Sequence, residues 1–159
     1  MKIRKDFKIK IKIIILGVLI ISRMSFFTVS HANNLGLENN KLLPCPKTPN
    51  CVLSQEGDEK HKISPILYKV SLEEAKERLN RVIISMVNTR LIKKEEEYWH
   101  YEFTTRWLGF VDDVEFFFPK SEALIHIRSA SRFGYWDFGI NRKRASVIQS
   151  KFEALSRVK

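Results

Sequence analysis

The sequence has no phosphate-binding loop, no dinucleotide fingerprint and no Gly-x-Ser-x-Gly elbow, so no motif points to a nucleotide enzyme or a serine hydrolase. No internal repeat or low-complexity linker divides its 159 residues, which suffice for one domain. Its apolar run, Ile13 to Ile21, is about half of the roughly 20 residues that span a bilayer. Cysteine is scarce: there are two, Cys45 and Cys51, with no further Cys or His beside them to complete a metal site. Acids are outnumbered, 18 against 28 Lys and Arg, for a net charge of +10.

That excess of bases would suggest nucleic acid or membrane, but much of it lies at the start of the chain. Residues 1–32 read as an export signal: Lys2, Arg4, Lys5, Lys8, Lys10 and Lys12, then Ile13 to Ile21, then Ser30-His31-Ala32 with small residues where a signal peptidase reads. Cleavage after Ala32 gives a periplasmic or secreted protein; the alternative is an uncleaved N-terminal anchor. The segment holds seven Lys and Arg and one acid, so 21 bases and 17 acids remain, a net charge of +4. A strong electrostatic case for nucleic acid disappears with it.

Export permits a disulfide between Cys45 and Cys51, whose short loop contains Pro46 and Pro49. Free thiols, a redox pair or a metal site are the alternatives. Residues 33–42 are polar and Asn-rich and read as a flexible lead-in, with a single domain over 43–159.

Ser71, with Glu74 three residues on, forms a helix-capping signal, and Leu72, Ala75, Leu79, Val82, Ile83 and Met86 share one helical face. Thr89–Glu96 is a plausible strand. Tyr98–Trp107 alternates with period two and is rich in aromatics, as a half-buried strand should be. With Leu108-Gly109 as a turn, Phe110–Phe118 follows as a strand, and Ala123–Ser131 after a turn at Pro119–Glu122. Those turns pair Phe116 with Ile125, Val114 with Ile127, Glu115 with His126 and Asp113 with Arg128, and leave Glu102 opposite Glu115. The aromatic and aliphatic side chains then share one face, with polar ones on the other. A last helix starts near Gly139 to Asn141 with Ala145, Ile148, Phe152 and Leu155 as its apolar stripe. The expected fold is α+β: an antiparallel sheet of three to four strands with two helices packed on one face.

The blocks CPKTPNCV at 45–52, GFVDDVEF at 109–116 and IRSASRFGYWDFGINRKR at 127–144 resemble the signatures of domain-of-unknown-function family 1499, over about Leu43 to Leu155. The resemblance implies an exported or envelope-associated bacterial protein, with relatives in plastids and no established activity. Its members carry a Ser-Ser pair after Asn-Cys-Val, where this chain has Leu53-Ser54.

The candidate binding or latch residues are Asp112, Asp113, Arg128, Ser129, Ser131, Arg132, Asp137, Asn141 and Arg142. Asp112 and Asp113 are neighbours on a strand, so they face opposite ways and form no dyad. Arg128 is the expected partner of Asp113, while Asp112 falls on the core face as a latch to Arg132, Arg142 or the helix backbone. Arg142, Lys143 and Arg144 crowd the first turn of the last helix, against its dipole, and ask for acidic partners that Asp112, Asp113 or Asp137 could provide. Ser129 and Ser131 lack a base: His126, the nearest His, belongs to the other face. Phe133, Tyr135 and Trp136 interleave with arginines in a pattern suited to anionic groups. The preferred function is non-catalytic: an envelope protein binding an anionic lipid, a cell-wall polymer or an envelope protein through the edge of Asp112, Arg128, Arg132, Asp137 and Arg142. A hydrolase using Asp112 or Asp113, in a cleft beside the C-terminal helix, is the alternative. No cofactor is expected.

Overall fold

The structure, a computed structural model, describes residues 35–55 and 58–157; the expected export signal and its cleavage position lie outside them. Eight strands and two helices follow in the order β1 (Leu37–Glu38), β2 (Lys41–Leu42), β3 (Cys51–Leu53), β4 (Ile66–Leu67), α1 (Leu72–Ile84), β5 (Thr89–Lys94), β6 (Tyr98–Thr104), β7 (Val111–Phe117), β8 (Leu124–Ser131) and α2 (Ile140–Arg157).

Strands β5 to β8 form an antiparallel meander. The main sheet has six strands rather than three to four, because β3 and β4 both pair with the outer edge of β8, β3 at Arg128–Ala130 and β4 at Leu124–Ile125. Between them Ser54 completes the edge. Its N–H donates to the Ile127 carbonyl at 2.9 Å, and its hydroxyl accepts from the Ile127 N–H at 3.0 Å. Strands of two and three residues are too short to show a period, so composition could not reveal them.

Ser71 caps α1, its hydroxyl accepting from the Glu74 N–H at 3.2 Å. The Glu74 carboxylate binds Arg78 at 2.5 Å. Ala75, Leu79, Val82 and Ile83 of α1 and Ala145, Ile148 and Phe152 of α2 are buried in one cluster with Trp99, Tyr101, Phe103, Val114, Phe116 and Ile127 of the sheet. Both helices therefore cover the aromatic face. Each large side chain removed from water there contributes about 1.5–3 kcal/mol.

Both hairpin registers differ from expectation by two residues. Glu115 stands opposite Arg128, Phe116 opposite Ile127 and Asp113 opposite Ala130. In the other hairpin Glu102 stands opposite Asp113 and His100 opposite Glu115. The β6–β7 connection is longer than Leu108-Gly109: Thr105 accepts from the Gly109 N–H at 2.9 Å and donates its own N–H to the Phe110 carbonyl at 2.8 Å, with Gly109 at φ +66°. The β7–β8 connection likewise is longer than Pro119–Glu122, since the ladder closes at Phe117 opposite His126. A shift of two preserves which face each side chain occupies. The expected aromatic face therefore persists while the cross-strand partners change.

The reverse face is polar but also buried. The lead-in expected over 33–42 contains the β1–β2 hairpin, which turns at Asn39-Asn40 with both φ values positive, +50° and +57°, as a two-residue hairpin loop requires. Leu42 packs with Leu53, Tyr98 and Phe117 and with the partly buried Cys45, which is bonded to Cys51. The opposite margin of the sheet, β5, is largely exposed, carries Lys93 and Lys94 and is broken by a register shift between Leu91 and Lys93.

Candidate functional site

The candidate residues fall in three places rather than along one edge. The first is the core face at the end of the sheet, where α2 begins. Asp112 is 4% exposed and accepts from Arg144 at 2.5 Å. The expected partners Arg132 and Arg142 lie elsewhere, because only Arg144, one turn into α2, reaches this corner. Arg144 also donates to Ser129 at 3.0 Å and to the Asn141 side-chain oxygen at 2.7 Å. Asn141, fully buried, accepts from the Ser129 hydroxyl at 2.6 Å, and its amide donates to Ser131, Asp137 and the Asn50 carbonyl at 2.9–3.0 Å. Asp137 accepts from the Gly139 and Asn141 N–H groups at 3.0 and 2.8 Å, placing negative charge at the helix start. That offsets the dipole penalty of Arg142, Lys143 and Arg144.

The second place is the buried reverse face. Asp113 pairs with His100 at 2.6 Å and with both ends of the Arg132 fork at 2.7 and 2.8 Å, not with Arg128. Arg132 reaches on to Glu102 at 2.5 Å, and Arg90 holds the other oxygen of Glu102 at 2.5 Å. Burial alone would raise the Asp113 and Glu102 carboxyls. The donors outweigh it, His100 and Arg132 on Asp113, Arg90 and Arg132 on Glu102, and hold both carboxyls below their ordinary range. These carboxylates draw the Arg132 guanidinium upward against its own burial. Beside this network Glu115, fully buried, accepts from Arg128 at 2.6 Å and from the Tyr98 hydroxyl and the Gly36 N–H at 2.7 Å each. Burial, then the Glu115 charge, pushes the Tyr98 hydroxyl far up. Among the described residues, the Arg128 Nε is a buried donor without an acceptor.

The third place is the outer side of α2. Arg142 donates to the Lys60 and Lys62 carbonyls at 2.7 Å each, pinning that loop to the helix. It lines a cleft of 510 Å³ with Ser54, Lys62, Ser64 and Gln149, and neither aspartate is among the walls.

Sequence reasoning passed over one contact. The Ser54 hydroxyl, already an acceptor from Ile127, lies 3.1 Å from Nδ1 of His126. Burial lowers the His126 ring below its ordinary value, and the ring tautomer sets which of the two donates. The two open to different clefts, Ser54 beside Arg142 and His126 beside Lys120. Arg144 is one of the first-turn cations for which the sequence offers Asp112, Asp113 or Asp137, and it meets Asp112. Asn50 has no signal outside the Pro-Asn-Cys loop, and the Glu115–Arg128 pair follows only from the true register. Among the described residues no group of three or more His, Cys, Asp or Glu is placed to hold a metal ion.

The arrangement defines an α+β domain whose buried carboxylates are engaged by donors, and whose Asn50, Asp112, Asn141 and Arg144 join three separated stretches of chain at one corner. The chain belongs to the family described as protein of unknown function (DUF1499), whose model matches residues 41–152. No curated protein matches it.

Proposed function

We propose that the protein is exported and acts in the cell envelope as a non-catalytic binding or structural domain. The observation that carries this reading is the burial of both candidate acids in ion pairs: Asp112 and Asp113 are 4% and 3% exposed, closed by Arg144 on one face and by His100 and Arg132 on the other. A general acid or base must reach the proton it transfers, which weighs against the hydrolase. The arginines of the expected binding edge are likewise engaged, so it offers little to an anionic ligand. The Cys45–Cys51 disulfide is compatible with an oxidising compartment, and no helix among the described residues is long and apolar enough to cross a membrane.

Cell fractionation followed by N-terminal sequencing tests the export half. The expected result is a chain outside the cytoplasm that begins at Asn33; a chain kept in the cytoplasm with reduced thiols overturns it. The non-catalytic half is tested by assaying the folded chain against ester, phosphoester and glycoside substrates. Turnover that disappears in a still-folded Asp112→Asn or Asp113→Asn variant would restore the hydrolase.

A further inference from the structure

Two connections meet at the end of the sheet where β6 and β8 finish and β7 begins. One is the loop from Thr105 to Phe110 and the other leads from Arg132 into α2. They are neighbours: the Arg132 N–H donates to the Val111 carbonyl at 3.1 Å, and the Phe110 and Phe133 rings stack at 6.0 Å. Their tips are apolar and bare. Trp107 is 87% exposed and Phe138 88%, with Leu108, Tyr135 and Trp136 also largely in water. So many exposed large apolar side chains on two adjoining loops mark an interaction surface.

Phe138 carries this furthest. Its φ is +53°, a region that a bulky residue enters only against steric resistance and that Asn or Gly tolerates. Its ring gains no burial in return. The residue is thus unfavourable twice over for the isolated molecule, and its use lies in contact with something else.

The charge around the tips selects what that is. The cation at the tips is Arg106, whose guanidinium sits 5.5 Å over the Trp107 ring. Arg132 is closed onto Asp113 and Glu102, and the single acid of the two loops, Asp137, onto the start of α2. Arg90 lines the adjoining cleft with Arg106, its own charge matched by Glu102. Trp and Tyr rings with a polar atom and an apolar body suit the headgroup level of a bilayer, and cations beside them suit anionic lipid. A bilayer also accepts separate rings on two loop tips without a shaped counterpart.

We propose that this end of the domain docks on the surface of an anionic lipid bilayer, with Trp107, Leu108, Trp136 and Phe138 entering the headgroup–acyl boundary. The proposal rests on the reading of the chain as an exported binding domain and names the partner of that domain.

The three tryptophans are Trp99, Trp107 and Trp136, and Trp99 is 3% exposed. Residues 1–34 contain none, so tryptophan emission of the full chain reads the two loops whatever the N-terminal segment does. The probe is vesicles of phosphatidylcholine and phosphatidylglycerol with brominated acyl chains. The expected result is a blue shift with quenching of the exposed tryptophans, several-fold weaker without phosphatidylglycerol. Leu108→Ser with Phe138→Asn keeps both reporters and should lower vesicle affinity by about tenfold or more, with thermal stability kept or raised because Asn suits that backbone. Three results would overturn the proposal: vesicle-bound protein whose tryptophans are not quenched, unchanged affinity in the folded double variant, or a blue shift that follows protein concentration without vesicles, which would mark a second copy as the partner. An exported chain that fails to quench removes this surface alone. A chain that is never exported removes the reading beneath it.

Discussion

At the scale of single residues, Glu115 and Asp113 show two ways of keeping a carboxylate in a dry place. Glu115 is compensated by one cation, a phenol and a backbone N–H. Glu115→Gln leaves the Arg128 charge buried without its counter-ion, and urea titration should record a loss of about 3–5 kcal/mol. Replacing both partners by Met should recover much of it, since an apolar pair needs no desolvation. Asp113 gives a pH signature. Its folded-state value lies below the ordinary 3.8, so the folded protein binds that proton less readily than the unfolded chain. The stability it contributes is complete above the unfolded value and is lost as pH falls through the folded one. Asp113→Asn should therefore lower stability at neutral pH and flatten the acid limb of the stability curve, a comparison readable from denaturant midpoints measured across pH 2 to 7.

At the scale of elements, the docking of α2 onto the sheet depends on Asp112 of β7 meeting Arg144. Asp112→Asn and Arg144→Met should each destabilise by a few kcal/mol, and the double variant by less than the sum, because the second change removes a charge that the first left unpaired. Additive losses in that cycle would mean that the two side chains merely lie close. Elements were also where the sequence was most and least legible. Alternation sorted Phe116, Ile127 and Trp99 to one face and Asp113, Glu115 and Arg128 to the other, since side-chain period in a strand is a local property. Partner choice is not local. It depends on loop length, and neither the four residues from Arg106 to Gly109 nor the longer β7–β8 connection leaves a trace in the alternation. A register misplaced by two kept every face and exchanged every partner, so Asp113 was matched to Arg128 when its cations are Arg132 and, if protonated, His100.

At the scale of the whole molecule, two sheet faces are closed by different material. The helices cover the aromatic side. The β1–β2 hairpin and the disulfide-bonded segment lie over the charged side, which becomes dry only when the N-terminal part of the domain is in position. One margin of the sheet is sealed by β3, Ser54 and β4, whereas β5 leaves its outer backbone groups open. The lysines there, Lys93 over the Tyr98 ring and Lys94 over the Trp99 ring, put charge on that open margin while anchoring it inward. Where unfolded copies crowd one another, such a margin is a nucleus for fibrils unless ammonium groups keep the copies apart. Lys93→Val with Lys94→Val should leave the monomer folded but turn concentrated solutions turbid and thioflavin-positive, which parent protein resists.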